Sequence, residues 1–162
     1  MYAVKEVLGE QLMNKILKDL IAKHRNPNHK AVTKDLIDEL IKAAPANQKN
    51  FIDESFNQVM DYQIELKVLQ CKKLPNGKFS VDLQVNVAKN KDGATELLAP
   101  DMDIDLAFFS QNQLNFNKNT KPFYFKKHHF NQLKTKLTIV VDQKPKTIAV
   151  DPYSYLLDAN LK

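Results

Sequence analysis

One change of period divides this chain. From Tyr2 to His24 the apolar residues Val4, Val7, Leu8, Leu12, Ile16, Leu17, Leu20 and Ile21 recur at intervals of three and four. That spacing lines one face of a helix. From about Tyr62 onward the interval falls to two, which fits strands and not helices. Helices gathered at one end and strands at the other point to an α+β chain.

Within the first part, Asn26-Pro27-Asn28 ends the opening helix. Thr33 reads as an N-cap, with Asp35 in the first turn and Leu36, Ile37, Leu40 and Ile41 on the apolar face, up to Pro45. A third helix spans Gln48 to Asp61 and buries Phe51, Ile52, Phe56, Val59 and Met60. The expectation is a three-helix unit over residues 1–61.

The second part, residues 62–162, opens with Ile64, Leu66 and Val68 alternating with polar neighbours. Leu74-Pro75-Asn76-Gly77 is a turn, with Asn-Gly as its hairpin signal. Phe79, Val81, Leu83, Val85 and Val87 then alternate with Ser80, Asp82, Gln84 and Asn86, a strand with one buried and one wet face. Asn90-Lys91-Asp92-Gly93 marks the next turn. Further strands are expected near Thr95–Ala99, Ile104–Phe109, Phe123–His128, Lys136–Val141 and Thr147–Val150. About seven short strands separated by turns suggest an antiparallel β-sandwich of immunoglobulin or fibronectin type.

Charge follows the same division. Residues 1–66 carry 9 basic and 10 acidic side chains, net −1, and residues 67–162 carry 15 and 9, net +6. A basic half raises a nucleic-acid or anionic-polymer partner. Arg25 is the sole arginine, however, and the lysines are scattered, so a solvated lysine surface is the simpler reading and nucleic acid is not expected. The three glycines leave no Gly-rich phosphate cradle, and the single Cys71 excludes an internal disulfide and a Cys-based zinc cluster. No stretch nears the roughly 18 consecutive apolar residues of a membrane span. With the mixed charges of Lys5, Glu6 and Glu10, the start is not expected to be a signal peptide.

Each chemistry-bearing cluster has an ordinary reading beside the functional one. His128 and His129 are adjacent, so on a strand they point to opposite faces and cannot easily share a metal. His24 and His29 flank the Pro27 loop, with no carboxylate or cysteine pattern to complete a site. Asp101, Asp103 and Asp105 open like a calcium loop. That pattern needs Gly at its sixth place and Glu at its twelfth, where this chain has Leu106 and Asn112. Alternation with Met102, Ile104 and Leu106 makes the acids one wet strand face.

Asp35, Asp38 and Glu39, beside Lys34 and Lys42, form a solvated helix face with ion pairs, and Asp53 and Glu54 read the same way. Cys71 beside Lys72 and Lys73 is a half-buried strand residue rather than a nucleophile. Phe123 to His129 mixes rings and bases. It reads as a strand with Phe123 and Phe125 buried on one face and Tyr124 and Lys126 on the other, not as a base-stacking platform. No H-E-x-x-H, no Ser/His/Asp order and no N-x-[ST] sequon occurs.

Several stretches resemble the zinc aminopeptidase-like (gluzincin) proteins. Tyr2-Ala3-Val4-Lys5-Glu6-Val7-Leu8-Gly9-Glu10 is similar to a helix, Y-A-L-R-D-Y-L-G-E, late in their catalytic domain. Thr33 with Asp35-Leu36 resembles their T-x-x-D-L helix start, with one residue fewer between. Phe51-Ile52-Asp53-Glu54-Ser55-Phe56 and Asp61-Tyr62 resemble their L-I-D-D-x-F … L-Y-D passage from helix to strand. Leu74 to Phe79 and Val81-Asp82-Leu83 resemble the first hairpin of the domain that follows. Val140-Val141-Asp142-Gln143-Lys144-Pro145, Val150-Asp151-Pro152-Tyr153 and Leu156-Leu157-Asp158 resemble their V-V-D-x-x-P … I-D-P-Y-x-x-L-I-D ending. The resemblance spans nearly the whole chain and departs from about Gln111 to Gln132, an asparagine-rich stretch. The subgroup it resembles most is the bacterial membrane proteins that join transporter-permease-like helices to a C-terminal peptidase-like domain.

The resemblance implies a piece of a larger protein. Family members hold zinc with H-E-x-x-H and a downstream glutamate, and the motif's own glutamate activates water. This chain has none of these in register, so no catalytic, metal or cofactor residue is assigned to it, and zinc belongs to the parent alone. The chain is expected to be non-catalytic, membrane-associated only through its parent, and partnered by the upstream peptidase and membrane domains. Its helical face around Leu8, Leu12 and Leu20 is expected to be partly exposed and to offer a homodimer surface. The alternative is an autonomous module whose basic sandwich binds an anionic polymer or a protein.

Overall fold

Gly9 decides how the chain begins. In the computed structural model, which describes residues 2–25, 30–91, 96–112, 116 and 119–156, its backbone sits at φ 82°, ψ 150°. Glycine alone adopts these angles without strain. The expected single helix from Tyr2 to His24 is therefore two, α1 (Tyr2–Leu8) and α2 (Glu10–Lys23). Gly9 serves both: its N–H donates to the Lys5 carbonyl at 2.8 Å, and its carbonyl accepts from Met13 N–H at 3.1 Å.

The chain divides into two compact units, residues 1–60 and residues 61–162. In the first, α3 (Thr33–Ala43) follows, then one 3-10 turn (Ala46–Gln48) and α4 (Lys49–Asn57). Thr33 is the first helical residue rather than the cap. Val32 holds the cap position, and its N–H donates to Asp35 Oδ2 at 2.9 Å, so the acid at the third helical place does the capping. The last helix stops at Asn57 instead of Asp61, because Gln58 is already extended (φ −137°, ψ 152°). Val59 is consequently exposed and Met60 begins the first strand.

Val4, Met13, Ile16, Leu40, Ala44 and Ile52 make the buried core of this unit, with Leu36, Phe51 and Phe56 half-buried around it. The unit thus covers most of its own apolar stripe. Leu8 and Leu12 stay half-buried, as expected, but Leu20 is 8% exposed, and Ile21, at 68%, is the bare large apolar residue of α2.

The second unit carries six strands among the described residues. They are β1 (Met60–Lys73), β2 (Phe79–Lys91), β3 (Met102–Phe109), β4 (Tyr124–Phe130), β5 (Lys134–Val141) and β6 (Thr147–Val150). They form two three-stranded sheets, ordered β1-β2-β5 and β4-β3-β6. The expected strand at Thr95–Ala99 is reduced to one bridge between Lys89 and Leu98, with Thr95 and the Asp92-Gly93 turn outside the described residues. Asn26 to His29 and Leu157-Asp158 also lie outside them.

Leu74 N–H donates to the Lys78 carbonyl at 2.8 Å and closes a three-residue turn between β1 and β2. Gly77 sits in it at φ 82°, and Asn76 Oδ1 accepts from Lys78 N–H at 3.1 Å. β2 pairs antiparallel with β5 from Phe79↔Val141 to Asn86↔Lys134. β3 pairs antiparallel with β4 from Met102↔Phe130 to Phe108↔Tyr124, and with β6 from Leu106↔Val150 to Phe109↔Thr147. Val81 and Leu83 of β2, Ile139 and Val141 of β5, and Leu106 and Phe108 of β3 share one buried cluster, so both sheets feed one core.

The register corrects the reading of the aromatic segment. Phe108 opposite Tyr124 puts the Tyr124 ring in the core, 4.9 Å from the Phe108 ring, together with Phe123 at 6.3 Å. Phe125 turns to the other face and is 48% exposed.

Candidate functional site

Alternation in β3 leads to the region richest in chemistry. Leu106 and Phe108 point to the shared core, which sends Asp103, Asp105 and Ala107 to the opposite face. That face should be wet, yet Ile104 through Phe109 are all buried, Asp105 included. Reading the three acids as one wet face therefore fails at Asp105, which is 5% exposed.

The pairings explain what Asp105 meets. Lys127 of β4 is its partner on one side, with Nζ 3.3 Å from Asp105 Oδ2. On the other side Asp151 N–H donates to the Asp105 carbonyl at 2.8 Å, which extends the β3–β6 register by one pair. Lys127, Asp105 and Asp151 thus form a row across the sheet. Asp105 Oδ1 has no hydrogen-bond partner among the described residues.

Asp151 starts the Asp-Pro-Tyr turn, at φ 47°. Asparagine and aspartate tolerate this left-handed region better than other side chains. Its carboxylate accepts from Tyr155 N–H at 3.1 Å and from Leu156 N–H at 2.8 Å. Burial pushes the Asp151 carboxyl above its ordinary value of 3.8. The Leu156 and Tyr155 N–H groups pull it down, Asp105 pushes it up, and Lys127 lowers it. The turn packs against the sheet. Tyr153 stacks with Phe125 at 5.8 Å, and its hydroxyl donates to the Thr120 carbonyl at 3.3 Å.

The histidines separate as their parity requires. His129 lies on the aspartate face, with Nδ1 3.0 Å from Asp103 Oδ1 and Nε2 3.4 Å from Asp101 Oδ1. His128 lies on the Tyr124 face. Burial, aided by Lys126, holds its imidazole below the usual pKa, and burial raises that of the Tyr124 phenol. His128 Nε2 lies 2.9 Å from the Tyr124 hydroxyl oxygen, within hydrogen-bond distance.

The other sequence candidates have structural partners. Lys34 pairs with Asp38 at 3.1 Å, and Glu39 with Lys23 of α2 at 3.1 Å. Asp53 accepts from Asn57 at 2.7 Å, and Cys71 is half-buried against the two-sheet core. His29 lies outside the described residues.

Among the described residues, two cavities open in the sheet unit. One, of about 350 Å³, lies among Gln63, Glu65, Asn86, Val87, Leu97 and Leu133. The other, of about 280 Å³, lies among Phe109, Ser110, Gln111, Asn119, Thr120 and Lys121. Neither is lined by Lys127, Asp105 or Asp151. Paired carboxylates that act on a substrate need access to it. Within this row Asp151 gives both carboxylate oxygens to backbone donors and anchors a turn. Among the described residues no group of three or more His, Cys, Asp or Glu is placed to hold a metal ion. No helix among them is long and apolar enough to cross a membrane.

Sequence reading missed the row because Lys127 and Asp105 are 22 residues apart, and Asp151 a further 24. The one available signal was Asp-Pro-Tyr itself, since an aspartate opening a proline turn is a ready acceptor for its backbone. No protein-family model matches this chain, and neither a curated protein nor a solved structure matches it.

Proposed function

We propose that this chain is a non-catalytic region of a membrane-anchored zinc aminopeptidase-like protein. Its helices complete the peptidase-like domain, and its strands form a trailing immunoglobulin- or fibronectin-like sandwich. The observation that carries the reading is the division at residue 60. It falls inside the Phe51 to Tyr62 stretch, where the resemblance calls for a passage from helix to strand, and α4 does give way there to β1. The Asp151-Pro152-Tyr153 turn adds support, because it gives the most specific element of the resemblance a physical task in closing the second sheet.

On this reading the chain alone hydrolyses no peptide, and zinc is held by parent residues outside it. Its role is to cover and position the peptidase-like domain. The test is an antibody to this chain, used on fractionated source cells. A membrane-bound band several times heavier than 18.6 kDa is expected. A soluble band at 18.6 kDa would reject the reading and turn attention to ligands of the sheet unit.

A further inference from the structure

Of the fifteen asparagines in the chain, Asn76 alone precedes a glycine. Each of the others is followed by a residue whose side chain crowds the next peptide nitrogen, and Gly77 has no side chain to do so. Both residues are exposed, in the turn between β1 and β2. A Cβ placed on Gly77 would meet nothing within 4 Å, so no neighbouring segment crowds that side of the Asn76-Gly77 peptide.

Hydrogen bonding adds to this opening. Lys78 N–H donates to Asn76 Oδ1 at 3.1 Å, across Gly77. That bond leans the carboxamide along the chain, with Cγ on the side of the Gly77 nitrogen. It also sets a donor on the oxygen that turns negative when a nucleophile adds to Cγ. Nucleophile and electrophile sit on adjacent residues, so no encounter is needed. We propose that Asn76 is a modification site, where the folded chain loses its side-chain amide without an enzyme. The Gly77 nitrogen gives its proton to solvent base and bonds to Asn76 Cγ. The Cγ–Nδ2 bond breaks, and ammonia leaves with a proton taken from water. The cyclic imide then takes up a water at either carbonyl, and no atom changes oxidation state. Opening between Cγ and nitrogen gives aspartate. Opening at the backbone carbonyl gives isoaspartate, whose main chain runs through the former side chain.

The two products act differently on the hairpin. Aspartate keeps an oxygen for Lys78 N–H and adds a negative charge beside Lys78, whose Nζ lies 2.9 Å from Asp142 Oδ1 just past β5. Isoaspartate lengthens the main chain between Leu74 and Lys78 by one methylene. The turn is closed there by Leu74 N–H on the Lys78 carbonyl at 2.8 Å and by Gly77 N–H on the Leu74 carbonyl at 3.0 Å. Turn length fixes hairpin register, so the added backbone atom opens the tip and loosens β1 against β2. The proposal rests on this turn alone and does not depend on the peptidase-like reading.

Mass spectrometry of the whole chain, aged in warm buffers of rising pH and then peptide-mapped, tests it. The mass gain of an amide-to-acid exchange is expected at Asn76 before any other asparagine, as both aspartate and isoaspartate. It should come faster as pH rises, because base frees the Gly77 nitrogen. Asn76→Gln, checked as folded by circular dichroism, should show no such early gain. In the isoaspartate form, separated by chromatography, hydrogen exchange should quicken at Leu74 and Gly77 while the helical unit stays unchanged. An intact Asn76 in the native chain under conditions where the urea-unfolded chain converts would overturn the proposal. So would a first gain at another asparagine, aspartate without isoaspartate, or unaltered exchange at Leu74 in the isoaspartate form.

Discussion

Among the described residues, every buried side chain of the helical unit is apolar, whereas the sheet unit buries Asp105 and Asp151 beside Phe108, Phe109 and Phe130. The difference follows from where backbone hydrogen bonds go. A helix closes its own backbone ladder, so its core side chains have only to exclude water. A turn folded against a sheet leaves N–H groups that no ladder reaches, and a buried group of that kind must find an acceptor. Asp151 supplies it for Tyr155 and Leu156. The buried carboxylate thus substitutes for missing main chain, and Lys127 offsets part of the charge this brings in.

The comparison is tested most strongly at its two cores. Phe108→Ala should destabilise the sheet unit by about 3–5 kcal/mol, since the ring is fully buried against Phe123 and Tyr124. Hydrogen exchange should show protection falling in β2, β3 and β5. Leu40→Ala should cost about 2–5 kcal/mol, with the loss read in α2, α3 and α4. If both substitutions reduced protection evenly along the whole chain, the two-core description would be wrong.

Next in size is Asp151→Ala, which strands two N–H groups and should cost about 1–3 kcal/mol in urea unfolding. Asp151→Asn keeps an acceptor oxygen and removes the charge facing Asp105, so it should cost less. Its pH dependence has a definite sign. The folded carboxyl titrates above the unfolded 3.8, so its stabilising contribution is complete below pH 3.8 and is lost as pH rises through the folded value. The stability of wild type minus that of Asp151→Asn should therefore fall from about pH 4 upward. A flat difference would mean that Asp151 is solvated like an ordinary surface acid.

Gly9→Ala should cost about 1–3 kcal/mol through its backbone angles alone, because an added Cβ meets nothing within 4 Å. A gain in helicity without loss of stability would show that α1 and α2 can merge. The smallest effect is expected at the exposed Lys34–Asp38 pair, where Lys34→Ala should change stability by no more than about 0.5 kcal/mol.

Much of the fold was legible because it rests on local period. α3, β3 and β5 lie where their spacing put them, within two residues at each end, and β2 starts at Phe79 as its alternation put it but runs four residues past Val87. Gly9 was overlooked because the apolar stripe runs straight through it, and periodicity is blind to a single left-handed residue. The Asp105 row was hidden for the opposite reason. Asp103 and Asp105 are identical in sequence pattern, and only the turn that returns from β6 buries one and leaves the other exposed. Phe125 was misplaced because the face of a lone strand follows from its partner. Phe108 opposite Tyr124 sets the parity, and nothing local to β4 does.

The order in which strands join their sheets has a kinetic consequence. β1 and β2 enter the first sheet, β3 and β4 the second, β5 returns to the first and β6 to the second. Phe79 waits for Val141, and Leu106 for Val150, across separations that a nascent chain closes late. The first sheet cannot acquire its third strand until the whole β3–β4 hairpin has been made, and the second cannot acquire its third until β5 has passed by. Assembly is therefore interleaved, and neither sheet is a finished stopping point for the other. The helical unit, built on neighbours in sequence, should settle well before either sheet closes.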